Sequence, residues 1–463
     1  MNQRVRTLLY LFFLCLFLVT APAVVLYTAG YRLRLDRFDV VRTGLLSVST
    51  LPKEAVVTMD GRAFEETTPA VFSDIPPGDH VVRIQKEGYL PWEKVLPVLK
   101  NTTTFVHGLV LFSQREAVLR LPGTVTDAVL DPTGRHIAYA TTEEAWVEIW
   151  SRNTTEGEPV LLLRFPAAQY RDVGLFWSAG GTYLLVQGNA SDAPPRLMVS
   201  NTDGRFRLDV NQLLSSAVLK SGVSEKKVTQ AFFDNQLDDQ LYVQTTDRLL
   251  SLAMPDASVT TFIDRPVVAT HTGSDIVTVG EVEGRMTVWR QSEDGSRQRI
   301  LAYVPYGDYV ILPSPNAFVL LMDRTSRRIL LLEANGTDRP ILLHASAEWA
   351  SWNPAGGNEL LYGGDFEIHV YRTEDHTDEL LTRLSRPVPT AVWHPHGTAV
   401  IFTDGQEISA VELDRRGGGR NVTPLTNLDH VSHLWIDPRG RTLSFVGARG
   451  DEEGIFERKL QRR

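Results

Sequence analysis

The stretch Trp393-His394-Pro395-His396-Gly397, followed by an apolar run from Ala399 to Thr403, decides the fold of this chain. Pro and Gly in close succession favour a tight turn, and the β-branched and aromatic residues that follow favour a strand. The bulky residue before the turn is typical of the end of another strand. The stretch therefore predicts two antiparallel strands joined by a short turn.

The same pattern recurs along the C-terminal two-thirds of the chain: a bulky residue, a small polar residue or His, often Pro, and then Gly. Its other clear copies are Leu130-Asp131-Pro132-Thr133-Gly134, Trp177-Ser178-Ala179-Gly180-Gly181, Trp352-Asn353-Pro354-Ala355-Gly356 and Ile436-Asp437-Pro438-Arg439-Gly440. The strands predicted after the five copies are His136 to Ala140, Tyr183 to Gln187, Leu360 to Tyr362, Ala399 to Thr403 and Thr442 to Val446. The second position of the pattern, which His394 occupies in the first stretch, is called the slot. Asp131 and Asp437 occupy the slot in their copies, and we expect them to cap their own turns.

The spacing of the copies shows how many units the chain holds. Gly134 and Gly181 are 47 residues apart, and Gly356, Gly397 and Gly440 follow one another at 41 and 43 residues. The gap of 175 residues between Gly181 and Gly356 holds four intervals of about 44, in line with a repeat architecture. Degenerate copies lie where these intervals predict them, at Phe232-Phe233-Asp234-Asn235, His271-Thr272-Gly273-Ser274 and Pro313-Ser314-Pro315-Asn316. The sequence thus contains eight units.

A unit of about 40 to 45 residues that repeats eight times and supplies four strands predicts an eight-bladed β-propeller, with seven blades as the alternative. The chain ends after three strands of the last unit, whereas an unassigned alternating strand, Glu116 to Leu121, precedes the first. We predict that this strand pairs beside Gly454 to Leu460, because an unpaired edge there would invite aggregation. The turn resembles that of TolB-type propellers over about residues 116–463, which implies that it joins the innermost strand to the next.

Residues 44–112 alternate β-branched and polar residues between turn signals, among which Asp60-Gly61 is the strongest hairpin signal, and they predict a compact all-β domain. The diagnostic elements are Gly44-Leu45-Leu46-Ser47-Val48, Pro52 with Ala55-Val56-Val57 and Asp60-Gly61, Thr68-Pro69, Ile75-Pro76-Pro77-Gly78-Asp79-His80 and Lys86-Glu87-Gly88-Tyr89. In this order and spacing they resemble the PEGA domain, a small β-sandwich of bacterial and archaeal envelope proteins.

The motif that gives this family its name differs here, since Pro-Lys-Glu-Ala from Pro52 to Ala55 stands in place of Pro-Glu-Gly-Ala and the turn loses its glycine. The resemblance implies a surface or carbohydrate-contact module more than a catalyst. Tyr89, Pro91 and Trp92 form either an exposed aromatic platform or part of the small core.

The N-terminal 43 residues predict a short cytoplasmic tail, a transmembrane helix and a linker. Thr7 to Tyr31 contains no charged residue, and Leu8 to Tyr27 spans 20 residues, about 30 Å of helix and one hydrocarbon core. A cleaved signal peptide with Ala21-Pro22-Ala23 as its cleavage site is the alternative. The apolar sequence continues after Ala23, which favours an uncleaved anchor. Arginines flank both ends of the segment, so charge alone does not fix its orientation.

Composition excludes several classes of protein. Cys15 is the one cysteine in 463 residues, which excludes a disulfide framework, a zinc knuckle and a cysteine nucleophile. The first 43 residues carry a net charge of +4 and the other 420 a net charge of −13. With no Lys/Arg cluster to neutralise phosphates, we expect no nucleic-acid partner.

Catalytic motifs are missing from the sequence as well. It contains no G-x-S-x-G, no H-E-x-x-H and no calcium loop. The closest histidine groups are His394 with His396 and His430 with His433, and turn chemistry explains His394 better than a metal site does. Gly417-Gly418-Gly419 lacks the Lys-Ser/Thr of a phosphate loop and is interpreted as a linker between blades. We therefore predict no catalytic residue, no metal site and no cofactor.

These features predict a membrane-anchored, single-pass binding or scaffold protein of the cell envelope. The bulk of the chain is expected outside the cytoplasm, because the tail is short, the large C-terminal part lacks cysteine and the related domains belong to envelope proteins. The partner is expected to be a protein or an envelope polysaccharide, bound by the propeller. A subunit of a membrane-associated sensory or assembly complex is the first alternative, and a propeller hydrolase or lyase acting on envelope glycan is the second.

Overall fold

The computed structural model describes residues 3–28, 31–34, 39–154, 157–170, 172–190, 194–221, 228–245, 248–264, 266–292, 297–315, 317–335 and 340–461. The chain divides into two compact units. The first consists of Met1–Arg115 with Glu412–Asn421 and Gln461–Arg463, and the second consists of Glu116–Val411 with Val422–Leu460.

The first unit contains one long helix and nine strands in its described part. They are α1 (Gln3–Thr28), β1 (Tyr31–Arg34), β2 (Asp39–Arg42), β3 (Gly44–Leu51), β4 (Val56–Met59), β5 (Arg62–Thr67), β6 (Ala70–Ile75), β7 (Gly78–Gln85), β8 (Trp92–Val98) and β9 (Thr103–Val110). β1 pairs with β2, while the other strands form a three-stranded sheet ordered β6-β3-β9 and a four-stranded sheet ordered β5-β4-β7-β8. Leu46 and Val48 from one sheet and Val57, Ile84 and Leu96 from the other share one buried core.

Tyr89 and Trp92 belong to this core, at 5% and 7% exposure. The core interpretation of these aromatics is therefore confirmed and the exposed platform is wrong. The predicted hairpin at Asp60-Gly61 is also confirmed, because the turn joins β4 to β5 with both residues at positive φ. Glu54, at the position where the family has glycine, has φ 62°, a left-handed conformation that glycine adopts without steric cost. Glu54 thus holds a backbone conformation that favours glycine.

The segment that contains Gly417-Gly418-Gly419 corrects a prediction. It does not link two blades, because it lies in the loop between two paired strands of one sheet, and Glu412–Asn421 belongs to the first unit. There the Lys94 ammonium, 3% exposed, pairs with Glu412 and donates to the Gly419 carbonyl at 2.9 Å. A Cβ on Gly417 would lie 2.1 Å from the Val95 carbonyl oxygen, so the close approach requires glycine.

α1 begins five residues before the predicted apolar span of Leu8 to Tyr27 and ends one residue after it. The side chains from Leu9 to Pro22 are described, whereas those of Leu8, Leu26 and Tyr27 lie outside the described residues. Within the described part of the chain, no helix meets the length and apolarity needed to cross a membrane.

The second unit begins with β10 (Val118–Pro122) and continues as sheets of four sequential antiparallel strands. Sheet 1 holds β11 (Val125–Leu130), β12 (His136–Glu143), β13 (Trp146–Asn153) and β14 (Val160–Pro166). Sheet 2 holds β15 (Asp172–Trp177), β16 (Tyr183–Asn189), β17 (Arg196–Asn201) and β18 (Arg207–Asp209). Sheet 3 holds β19 (Val228–Phe233), β20 (Gln240–Thr245), β21 (Arg248–Ala253) and β22 (Ser258–Asp264). Sheet 4 holds β23 (Pro266–Thr272), β24 (Asp275–Val282), β25 (Arg285–Ser292) and β26 (Gln298–Tyr303).

The later sheets repeat this order. Sheet 5 holds β27 (Tyr309–Leu312), β28 (Phe318–Asp323), β29 (Arg328–Glu333) and β30 (Ile341–Ser346). Sheet 6 holds β31 (Trp349–Trp352), β32 (Glu359–Gly364), β33 (Glu367–Arg372) and β34 (Thr377–Arg383). Sheet 7 holds β35 (Thr390–Trp393), β36 (Ala399–Thr403), β37 (Glu407–Glu412) and β38 (Val422–Asn427). Sheet 8 holds β39 (His430–Ile436), β40 (Thr442–Arg449) and β41 (Glu452–Lys459).

The predicted closure is confirmed. β10 pairs antiparallel with β41, with Val118 opposite Glu457 and Pro122 opposite Gly454, and supplies the fourth strand of sheet 8. Tyr139 of sheet 1 packs in one buried cluster with Val446 of sheet 8. Consecutive four-stranded sheets whose first and last members pack together are the arrangement of a β-propeller.

In the described part of the second unit one helix interrupts the β structure, and it was not predicted. α2 (Val210–Ser221) follows β18, and the backbone N–H of Gln212 donates to Asp209 Oδ1 at 3.0 Å. Asp209 is therefore the N-cap of α2. From the sequence alone, Asp209 could not be distinguished from an acidic residue at the end of a strand.

Candidate functional site

The predicted repeat turns lie at one end of the sheets. In each sheet the turn pattern falls between the first and second strands, at the clear copies and at the described residues of the degenerate ones; Asn316 lies outside the described residues. Because successive strands are antiparallel, the turns between second and third strands and the connections from one sheet to the next lie at the opposite end. We call these the turn end and the connection end.

Polar side chains at the turn end are bound to their own turns, as expected. Asp131 accepts from the backbone N–H of Arg135 at 2.8 Å, and Asp437 accepts from the N–H of Arg439 at 2.8 Å. Asp234, in a degenerate copy, caps its turn in the same way. Its pKa is lowered, because hydrogen bonds to its carboxylate outweigh its burial.

The slot residue of one sheet also contacts the turn of the next. Asn353 accepts from the N–H of Ala355 at 3.0 Å and donates to the Gly397 carbonyl at 3.3 Å. His394 Nδ1 accepts from the N–H of His396 at 3.4 Å, and its Nε2 donates to the Gly440 carbonyl at 3.2 Å. These contacts account for the glycine of the motif, since a Cβ on Gly440 would lie 2.6 Å from the ring of His394.

His394 is therefore a structural residue. It is fully buried, and burial lowers its pKa to about 4, which keeps the ring neutral at pH 7. His433, from the other histidine group, pairs with Asp127 at 3.4 Å. Among the described residues no group of three His, Cys, Asp or Glu side chains is arranged to hold a metal ion. In the sheet 6 turn the left-handed glycine is Gly357 and not Gly356, so that turn is one residue longer than predicted.

The connection end of sheet 6 holds a cavity of about 620 Å³ that sequence reasoning missed. We call it the Tyr362 pocket. Its charged and aromatic lining residues are Arg327, Glu348, Tyr362, Asp365, Phe366, Glu367, His369, Asp378 and Arg383. They come from the end of β32, the turn after it, β33, β34, the connection from sheet 5 to sheet 6 and, for Arg327, the turn between β28 and β29 of sheet 5.

Strand register brings the polar side chains together. Tyr362 on β32 lies opposite His369 on β33, and Glu367 on β33 lies opposite Arg383 on β34. Glu367 and His369 are two residues apart on one strand and so face the same side of the sheet. The rings of Tyr362 and His369 stack with their centroids 5.2 Å apart and a tilt of 20°.

Hydrogen bonds connect these side chains into one network. His369 Nε2 lies 3.1 Å from Glu367, and His369 Nδ1 lies 3.3 Å from Asp378. The Tyr362 hydroxyl donates to Asp378 at 2.7 Å, and Arg383 pairs with Glu367. The network therefore places the His369 ring between two carboxylates, one of which also binds the Tyr362 hydroxyl and the other Arg383.

Two members of this network have shifted pKa values. The hydrogen bond from His369, together with Arg383, lowers the pKa of Glu367, which stays a carboxylate at neutral pH. Burial and the hydrogen bond to Asp378 raise the pKa of Tyr362, so its hydroxyl stays a donor. Glu367 and Asp378 are 37% and 40% exposed and remain accessible to a ligand.

One sequence signal could have identified two residues of the pocket. Glu367-Ile368-His369-Val370-Tyr371 alternates polar and apolar residues, which places a glutamate and a histidine on one face of a strand inside a repeat. The partners on β32 and β34 depend on cross-strand register, which the repeat pattern does not specify.

Comparison with known proteins finds a PEGA domain in the first unit. For the rest of the chain it shows a similarity of fold alone. Residues 43–109 match the family model of the PEGA domain. No curated protein matches the sequence. Solved structures similar to the chain include the C-terminal WD40 domain of Sif2 (12% identity, 75% of this chain and 98% of that one, TM-score 0.48) and the Dos1 propeller (12%, 73% and 93%, 0.48). An oligogalacturonate lyase from Vibrio parahaemolyticus is also similar (10%, 74% and 99%, 0.40).

Proposed function

We propose that this chain is a membrane-anchored binding protein of the cell envelope, whose second unit engages its partner at the Tyr362 pocket. The pocket carries the proposal, because a cavity of about 620 Å³ with a few convergent polar groups is typical of ligand sites. The partner is an envelope polysaccharide or a protein, and no nucleic acid is involved.

In this proposal the second unit is one eight-bladed ring, each four-stranded sheet being a blade. The pairing of β10 with β41 supports it, as does the packing of sheet 1 against sheet 8. A closed ring presents its connection end as one rigid surface, which suits a binding role.

The anchor rests on the sequence of α1. Leu8 to Tyr27 is uncharged and about as long as a hydrocarbon core is thick. We propose a cytoplasmic N-terminus, with the PEGA domain and the propeller outside the cytoplasm. An alkaline phosphatase fusion at Arg463 is then active, and a mature N-terminus at Val24 would show a cleaved signal peptide instead.

The pocket favours recognition over turnover. The raised pKa of Tyr362 keeps its hydroxyl from acting as a base at neutral pH. His369 lies between two carboxylates, where its ring nitrogens are already engaged. The network is thus arranged to present fixed donors and acceptors.

A retention experiment tests the proposal. The full chain is immobilised in detergent, incubated with envelope extract from its native cells, and compared with His369→Ala. His433→Ala is the matched control, since His433 also pairs with a carboxylate in the second unit but lies in sheet 8. We expect His369→Ala to reduce retention at least tenfold and His433→Ala to leave it unchanged.

Other outcomes point to the alternatives. Equal retention by wild type and His369→Ala contradicts the pocket as the binding site. Recovery of a stoichiometric multi-subunit complex that does not depend on the pocket would indicate an assembly subunit. Cleavage of envelope glycan, abolished by Asp378→Asn, would indicate an enzyme.

A further inference from the structure

We infer that the Tyr362 pocket binds carbohydrate, through the neighbouring hydroxyl groups of sugar rings in a glycan. The inference rests on the proposed function, because it assigns a ligand class to the same site. Its evidence is the chemistry of the lining residues, which is independent of the evidence for the anchor and for the ring.

The charges in the pocket disfavour an anionic ligand. An anion would meet four carboxylates, those of Glu348, Asp365, Glu367 and Asp378, against two guanidinium groups, those of Arg327 and Arg383. Both guanidinium groups are already paired, Arg327 with Glu348 at 2.6 Å and Arg383 with Glu367. An anion that displaced either pair would leave a carboxylate without its cation, so the pocket fits a polar ligand that is not anionic.

The polar network suits hydroxyl groups in particular. A hydroxyl donates one hydrogen bond and accepts up to two, so it needs a donor and an acceptor side by side. Arg383 and Glu367 supply such a pair, and Asp378, which already accepts from the Tyr362 hydroxyl, supplies a second acceptor that is partly exposed. Neighbouring hydroxyls on a sugar ring can engage this pair and the second acceptor together, whereas a peptide backbone offers single groups farther apart.

An exposed ring completes the site. Phe366, in the turn between β32 and β33, lines the pocket and is 46% exposed. An exposed aromatic face packs against the C–H face of a sugar ring and removes apolar surface from water. Asp365 beside it is exposed and extends the acceptors to the mouth of the pocket.

Chemical treatment of the extract separates carbohydrate from protein. Envelope extract of the native cells is divided into untreated, periodate-oxidised and protease-digested samples, and retention by the immobilised full chain is measured. Periodate cleaves the bond between carbons that carry neighbouring hydroxyls. We expect retention to fall at least tenfold after periodate and to survive protease.

Variants place the effect in the pocket. Phe366→Ala and His369→Ala are each expected to reduce retention of the protease-digested sample at least tenfold. Phe176→Ala, which removes a ring of similar exposure (50%) from sheet 2, is expected to leave retention unchanged.

The outcomes distinguish this inference from the proposed function. Retention that survives periodate, or that requires intact protein, overturns the carbohydrate inference but leaves the pocket as the site if His369→Ala still abolishes it. Retention that neither Phe366→Ala nor His369→Ala changes overturns both, and so does an absence of retention by wild type.

Discussion

The two ends of the second unit contain the same kinds of polar side chain in opposite situations. At the turn end His394 is fully buried, and both of its ring nitrogens are bonded to backbone groups. At the connection end His369 is 22% exposed, and its neighbours are side chains that reach solvent. A histidine whose bonds go to buried backbone serves the fold, whereas one that bonds partly exposed side chains positions groups that remain open to solvent.

The turn end also shows how different residues perform one task. Asn353 and His394 each accept from the N–H two residues later and donate to the glycine carbonyl of the next sheet's turn. Asn and neutral His share this capacity because each carries one acceptor and one donor in the necessary directions. The slot thus selects hydrogen-bonding capacity and not residue type.

The first prediction, which has the largest expected effect, tests the pairing of β10 with β41. Deleting residues 455–463 removes Ile455, Phe456 and Leu460, all buried, and takes β10 from its partner. Each buried side chain contributes about 2–5 kcal/mol, so the loss approaches the whole stability of a domain. We expect the second unit to lose its cooperative thermal transition.

The control deletes residues 461–463 only, which leaves β41 (Glu452–Lys459) intact. A 455–463 deletion that melts at the wild-type temperature would contradict closure by β41.

The second prediction tests the shared task of the slot. His394→Leu takes the hydrogen-bond partner from the buried Gly440 carbonyl and from the partly buried His396 N–H, which is expected to cost about 4 kcal/mol in the free energy of unfolding. His394→Asn copies the residue of sheet 6 and is expected to cost less than about 1 kcal/mol. Urea unfolding of both variants measures the difference. Equal losses would mean that packing volume, not hydrogen bonding, matters in the slot.

Whether a feature of the fold or of the pocket could be predicted from the sequence depends on how far apart along the chain its interacting residues lie. The turns were predictable because Asp437 and Gly440 act within five residues of one another, and the closure because the strand count left β10 unassigned. The Tyr362 pocket was not predictable, since its side chains converge through pairing between three strands. The sequence suggested a linker at Gly417 because glycine occurs both in flexible segments and where two backbones approach closely. The close approach to Val95 exists only in the folded chain.

The third prediction concerns pH at the turn end. The pKa of His394 is about 4 in the folded chain and about 6.5 when unfolded, so the unfolded state binds the extra proton first. Stability from this group is complete above pH 6.5 and is lost as the pH falls to 4, by about 3 kcal/mol in total. We expect this part of the acid lability to vanish in His394→Asn. The urea midpoints of the wild type and of His394→Asn at pH 7 and pH 4.5 test this prediction. An equal decrease of the midpoint in the two proteins would contradict it.

The smallest effect is expected at the connection end. Arg383→Gln removes the cation beside Glu367, but the two side chains are 68% and 37% exposed, so solvent already screens their attraction. Exposed ion pairs of this kind contribute about 0.2–1 kcal/mol, and we expect the free energy of unfolding to change by about 0.5 kcal/mol or less. The pKa of Glu367 should rise toward its ordinary value, since one of its stabilising partners is gone. Urea unfolding and NMR titration of the glutamate carboxyl measure the two quantities. A loss of stability as large as that in His394→Leu would show that the pocket also holds the fold together, and the two ends would then not differ in kind.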